Sequence, residues 1–336
     1  MSSSRIRPAT HTPRSSAPRR GESSLRRPHF AGPPGTRRGR FRHACYRRRV
    51  RWLLVLWDID FTLVNAGGVG TRLYRMVFHD MFGTELPSAA DMAGRTDRAI
   101  VLDTLARAGI PEPRKHLDQF LAQLAALAPT GRELAVQHSR ALPGAAAALD
   151  ALAAFAPGRD APGRDSADRE VAGRDAPGRD APGRDAPGRD GAGRRGPAPG
   201  RDGAGFTTAN VRVVQSVLTG NVRRMAEIKL SAVGLDADLD LETGAYGDSH
   251  EIRSELVHLA RGKAARKYGR GFAGTATVLV GDTPLDVAAA RATGARAVAV
   301  ATGGTSADKL AESGADVVLP DLTDTAAVLF AILGVP

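Results

Sequence analysis

The sequence predicts an α/β fold: a doubly wound, Rossmann-like parallel sheet with an α-helical cap domain inserted near its start. Three observations predict it. Short apolar, β-branched runs alternate with helix-length stretches along much of the chain, the pattern of parallel strands joined by helical crossovers. A mostly helical region, residues 67–142, separates the first apolar run from the second. Polar clusters follow three of the runs directly, and in such sheets ligands bind outside the carboxyl ends of the strands.

The chain begins with a segment that does not fit this alternation. Residues 1–51 hold fifteen arginines and one acid, Glu22, a net of +14 against +11 for the whole chain, so the remainder carries −3. The basicity belongs to this tail, which is rich in Arg, Ser, Pro and Gly. It has too few apolar residues to offset its ordering entropy, and residues 1–50 are expected to be disordered. Three roles stay open: a transit peptide, a basic arm that touches nucleic acid, or an upstream extension without a function. Recurrent Pro and the lack of an amphipathic helical pattern favour the third. The run Trp52–Trp57 is far too short to span a bilayer, and Asp58 ends it. No membrane partner is expected; the expected location is cytoplasmic, with organellar import through the tail left open. Cys45 is the only cysteine, which excludes an intramolecular disulfide or a cysteine metal cluster.

The core starts at residues 51–66 with WLLVLWDIDFTLV, an apolar strand ending in Asp58 and Asp60. Side chains at i and i+2 of a strand share a direction, so both carboxylates converge on one ligand. Such a pair suits a hard cation and one covalent step. The cap, 67–142, is expected to hold helices at Thr71–Phe82, Arg98–Ala108 and His116–Leu127, with turns at Gly83, Gly109–Pro111 and Pro129. Gly67, Gly68 and Gly70 read as a hinge or as a simple loop. Residues 143–155 return as a core helix.

Residues 156–205 carry APGRD six times. Proline removes backbone donors and glycine adds chain freedom, so this insert is expected to be a disordered loop. Lengthening a surface loop costs little closure entropy, which makes a tolerated insertion the simplest reading; a docking arm is the alternative. The rest of the core, 206–336, alternates again. Strands are expected at Val211–Leu218, Thr277–Val280, Ala297–Ala301 and Val317–Leu319, and helices at Val222–Val233, after Pro284, at Ala307–Glu312 and at Thr325–Leu333.

DIDFTL at 58–63, TGN at 219–221 and GDTPLD at 281–286 resemble motifs I, II and IV of the haloacid dehalogenase superfamily, in that family's order and each at the end of an expected strand. The helical insert resembles the cap of phosphoglycolate phosphatase-like members. The resemblance covers the chain from about Leu53 onward, apart from the repeat. It implies a Mg²⁺-dependent phosphoric monoester hydrolase acting on a small phosphorylated metabolite such as phosphoglycolate. A phosphomutase of the β-phosphoglucomutase type uses the same motifs. A nucleic-acid-binding protein on a degenerate fold is the reading of a different class, resting on the tail and the repeat.

The same resemblance implies the roles. Asp58 is the nucleophile that forms an aspartyl-phosphate, and Asp60 is the acid and base. Magnesium sits between Asp58, the Asp60 carbonyl and Asp282. Asp286 supports the metal or caps its helix. Thr219 donates to a phosphoryl oxygen; Thr62, Gly220 and Asn221 help to hold the anion near a helix start. The third motif is normally a lysine, and here the sequence departs from the pattern. Arg253 occupies its place best and Lys229 is the alternative, unless it is a solvated helix lysine. Lys263 and Lys267 read as exposed charges. Arg95, in Gly94-Arg95-Thr96, is placed to bind a substrate carboxylate or a distal phosphate, or else is a surface arginine. Dehalogenating members lack the second motif I aspartate, so Asp60 favours phosphate-ester hydrolysis.

Overall fold

A computed structural model describes residues 50–88, 90–158 and 210–334. The tail and nearly all of the repeat, with the disorder expected of them, lie outside the described residues. Five strands form one parallel sheet in the order β4-β1-β5-β6-β7: β1 is Arg51–Trp57, β4 is Val211–Val217, β5 is Thr277–Gly281, β6 is Arg296–Val300 and β7 is Val317–Leu319. The central position of β1 follows from its composition. Leu53 to Trp57 are completely buried, as an apolar run without alternation must be when helices cover both faces. One face packs against α5 (Ala145–Ala153) and α10 (Thr325–Leu333); the other packs against α7 (Arg253–Tyr268) and α8 (Pro284–Ala292). Helices α6 (Arg223–Ala232) and α9 (Ala307–Glu312) complete the crossovers.

The cap contains α1 (Val69–Phe82), α2 (Asp97–Arg107), α3 (Pro113–Ala126) and α4 (Ala128–His138). Sequence reasoning found the first three and missed α4, because Pro129 read as a turn. The proline instead stands in the first turn of α4, where no intrahelical N–H is needed. Gly131 in the same helix packs closely on α6: a Cβ there would lie 3.0 Å from Met225 Sδ.

The chain enters and leaves the cap through a ribbon that the sequence did not reveal, β2 (Val64–Asn65) antiparallel to β3 (Arg140–Ala141). Gly67 and Gly68 lie at this crossing with positive φ, and a Cβ on Gly67 would come within 2.5 Å of His138 O. Close approach therefore explains Gly67, and Gly68 is the left-handed N-cap of α1. Gly70 lies inside α1. Lys267 pairs with Asp240 and Glu242 at the surface, as expected. Lys263 is half-buried, donating to Gly244 O at 2.6 Å with its ammonium over the Tyr246 ring, so the expectation of an exposed charge there is corrected.

Candidate active site

The ends of β1, β4 and β5 converge on one cavity of about 440 Å³ between the sheet and the cap. The chain after β1 curls tightly. Asp58 N still donates to Val280 O of β5, then the amides of Thr62, Leu63 and Val64 all turn back to Ile59 O, with Phe61 at φ 56°. This turn leaves Asp58 and Asp60 lining the cavity. It also sinks Thr62, fully buried and outside the cavity wall, where its hydroxyl approaches Asp282 Oδ1 at 3.4 Å. Thr62 thus sits behind the carboxylates, a correction to its expected place against the substrate.

Both candidate cations reach the site, and they take different partners. Arg253, at the start of α7, pairs with Asp58 Oδ1 at 3.0 Å and Asp286 Oδ1 at 2.5 Å. It also donates to Gly94 O and Leu218 O, while its buried Nε has no partner among the described residues. Lys229 of α6 donates to both Asp60 oxygens at 2.7 Å and to Asn221 Oδ1 at 2.7 Å. It is only 5 % exposed, so the solvated-lysine reading is overturned. Helical spacing explains the reach: Lys229 lies on the buried face of α6 with Met225 and Ala226. Asn221 Nδ2 donates to Asp60 Oδ2 and to Thr219 Oγ1, each at 2.7 Å, joining motif II to motif I.

Asp58, Asp282 and Asp286 bring carboxylate oxygens within 4.8 Å of one another, all buried. Burial first, then mutual repulsion, pushes Asp58 and Asp282 above the ordinary carboxylate range, with Arg253 opposing this at Asp58. Burial would lower the pKa of Arg253, but Asp286 and Asp58 more than reverse that. Asp286 fulfils the helix-cap reading: its Oδ2 accepts from Thr283 N and Oγ1 in a capping box at the start of α8, and its Oδ1 meets Arg253. Asp286 thus caps its helix and stays in the buried carboxylate cluster with Asp58 and Asp282 that could hold a cation. Hard oxygen donors in a buried cluster with more carboxylates than guanidinium groups fit a magnesium ion.

The cap seals this floor through main chain. Gly94-Arg95-Thr96 wedges between the motif II and motif IV turns: a Cβ on Gly220 would lie 1.8 Å from Arg95 O, and one on Gly94 2.2 Å from Thr283 Oγ1. Gly220 is thereby explained by the cap loop it touches. Asp97 N donates to Gly220 O, Arg98 N to Gly247 O, and Thr96 Oγ1 to Glu251 O. Arg95 lines the cavity, with its guanidinium paired to Asp103 at 2.8 Å and donating to Asp91 O and Ala99 O.

Sequence reasoning missed Asp97 and Tyr74, which also line the cavity. Tyr74 Oη donates to Asp97 Oδ1 at 2.6 Å and Val222 N to Oδ2 at 2.7 Å. Burial raises Asp97 to about 6 against the pull of these donors, and burial together with Asp97 raises Tyr74 well above its usual range. The available signal was an acid immediately after the Thr96 helix cap, beside the loop singled out for Arg95.

Residues 256–325 match the family model described as "HAD-hyrolase-like". A search of curated proteins finds no match. Among solved structures, a predicted phosphatase from Clostridium acetobutylicum is similar at TM-score 0.50 and 11 % identity, covering 83 % of this chain and 98 % of that one. A predicted phosphoglycolate phosphatase from Haemophilus somnus is similar at TM-score 0.46 and 17 % identity, over 83 % and 98 % of the two chains. A hydrolase from Pseudomonas syringae is similar at 0.48 and 18 %, over 83 % and 98 %. The family match and the shared sheet bear out the resemblance to the haloacid dehalogenase superfamily and the cap-bearing α/β fold.

Proposed function

We propose that the chain is a Mg²⁺-dependent phosphatase that hydrolyses a small phosphorylated metabolite through an aspartyl-phosphate on Asp58. The carrying observation is the meeting of Asp58 and Asp60 with separate cations at the mouth of the parallel sheet. In this reading a free Asp58 oxygen attacks phosphorus as the ester oxygen leaves, and Asp60 gives that oxygen its proton. Asp60 then takes a proton from the water that attacks the aspartyl-phosphate, releasing phosphate and restoring Asp58. Asp58 and Asp282, with Asp286 beside them and Asp60 adjoining, would hold a magnesium ion, which would supply positive charge to offset repulsion between nucleophile and phosphate.

The protein's own groups do the rest. Arg253 holds the nucleophile and supplies the positive charge that the third motif calls for. Lys229 and Asn221 fix the carboxylate plane of Asp60. Thr219 takes the hydroxyl role at motif II. A cavity of about 440 Å³ under the cap suits a small molecule and not a polymer chain. No helix among the described residues is long and apolar enough to cross a membrane, and a cytoplasmic setting completes the proposal.

The test is phosphate release from a panel of small phosphate esters, with and without Mg²⁺, by the full chain and by Asp58→Asn. Metal-dependent release lost in the variant is expected. Release that survives Asp58→Asn would sink the covalent mechanism, and no release from any ester would sink the phosphatase reading.

A further inference from the structure

The sheet end of the cavity is built of paired charges, and the cap end adds an apolar wall. Leu73 of α1, Ile100 of α2, Leu124 of α3 and Met225 of α6 all line it and belong to one apolar cluster, each no more than 4 % exposed. Met92, half-buried, extends this wall toward the cap loop. A phosphoryl group on the carboxylate floor would direct its alcohol against these side chains.

The positive charges lining the cavity are already committed. Arg253 lies with Asp58 and Asp286, Lys229 with Asp60 and Asn221, and Arg95 with Asp103. The ionisable groups on the cap side of the cavity, Arg95 aside, are acids and a phenol. Asp91 accepts from Ala93 N, and Asp97 is satisfied by Tyr74 and Val222. A second anion on the substrate would therefore enter beside an apolar wall and carboxylates, with each described cation that lines the cavity already paired. An uncompensated buried charge is strongly disfavoured there.

From this geometry we infer that the substrate is a monoester of an uncharged, largely apolar alcohol, and that carboxylate-bearing esters such as phosphoglycolate are discriminated against. The inference rests on the phosphatase reading for its chemistry, while its binding content stands apart from turnover. An apolar wall rewards added methylene groups and penalises charge, so the preference should reach at least about tenfold.

The experiment compares benzyl phosphate and n-butyl phosphate with phosphoglycolate on the full chain in Mg²⁺. It reads kcat/KM for the wild type and calorimetric Kd for Asp58→Asn. Both measurements should favour the apolar esters by about tenfold or more. Met92→Arg, at a half-buried position that tolerates a longer side chain, should narrow the gap by lifting phosphoglycolate. Equal or better use of phosphoglycolate by the wild type overturns the inference, as does equal or tighter binding of phosphoglycolate by Asp58→Asn. If no ester turns over, the phosphatase reading falls, and the order of Kd values still decides this one: absence of binding by the apolar esters overturns it, and the tenfold preference upholds it.

Discussion

The two halves of the cavity are built on opposite principles. At the mouth of the sheet, buried charges are cross-linked: Asp58 and Asp286 on Arg253, Asp60 on Lys229 and Asn221. Under the cap, the wall is aliphatic and its two acids are satisfied locally. The difference teaches that, in the phosphatase reading, chemistry and selectivity are separately encoded. A buried charged network loses its function when one member goes, since the partner left behind is uncompensated. An apolar wall changes by degrees, in proportion to the area and volume altered.

The largest effect that would sharpen this contrast is expected from Asp58→Asn, which should abolish turnover while a denaturation curve shows the fold intact. Next comes the pair of cations. Arg253→Ala removes the charge beside the nucleophile and should lower kcat by about 10²- to 10³-fold. Lys229→Ala removes a support of Asp60 that Asn221 partly shares, and should cost about 10- to 100-fold. Steady-state kinetics with one ester ranks them, and the contrast breaks if Lys229→Ala proves the more damaging change.

A smaller effect tests the cap side by pH. Asp97 has its folded pKa raised to about 6 by burial, so between its unfolded value and that point the folded chain binds the extra proton. Stability from this group is present at low pH and is lost as pH rises through about 6. Denaturant titrations should show the wild type losing about 1 kcal/mol more than Asp97→Asn between pH 5 and pH 7. A steeper loss in the variant would show that the wall depends on the charged form.

The smallest effect is expected far from either half. Val213 N donates to Phe155 O at 2.9 Å, so the chain departs for the repeat and returns from it at the edge of the sheet. Replacing residues 159–208 with a short Gly-Ser link should unfold no earlier than the full chain, as a thermal melt would show. An earlier transition would mean that the repeat packs.

What was legible in the sequence follows the same division. Asp58, Asp60, Thr219, Asp282 and Asp286 were readable because each follows a strand whose apolar run announces it, and strand ends converge in a parallel sheet. The wall was not readable as a wall. Leu73, Ile100 and Leu124 follow ordinary helical periodicity, and nothing local separates a side chain facing a cavity from one facing a neighbour. The pairing of Arg95 was hidden for the complementary reason. A basic residue in a cap loop looks available until α2 folds and brings Asp103 against it. The ribbon of β2 and β3 was too short for alternation to show.

The glycine seam at 94, 220 and 247 has a consequence for how such a molecule changes over generations. A Cβ on Gly247 would fall 1.7 Å from Gly220 O, and those on Gly220 and Gly94 would collide with the cap loop and Thr283. A closure made of bare backbone offers no side chain to vary, so mutation has no gradual route through it. Innovation is channelled to the surrounding wall, where Met92 or Ile100 can be exchanged in small increments. The wall can thus vary while the cap loop stays packed on the same two turns.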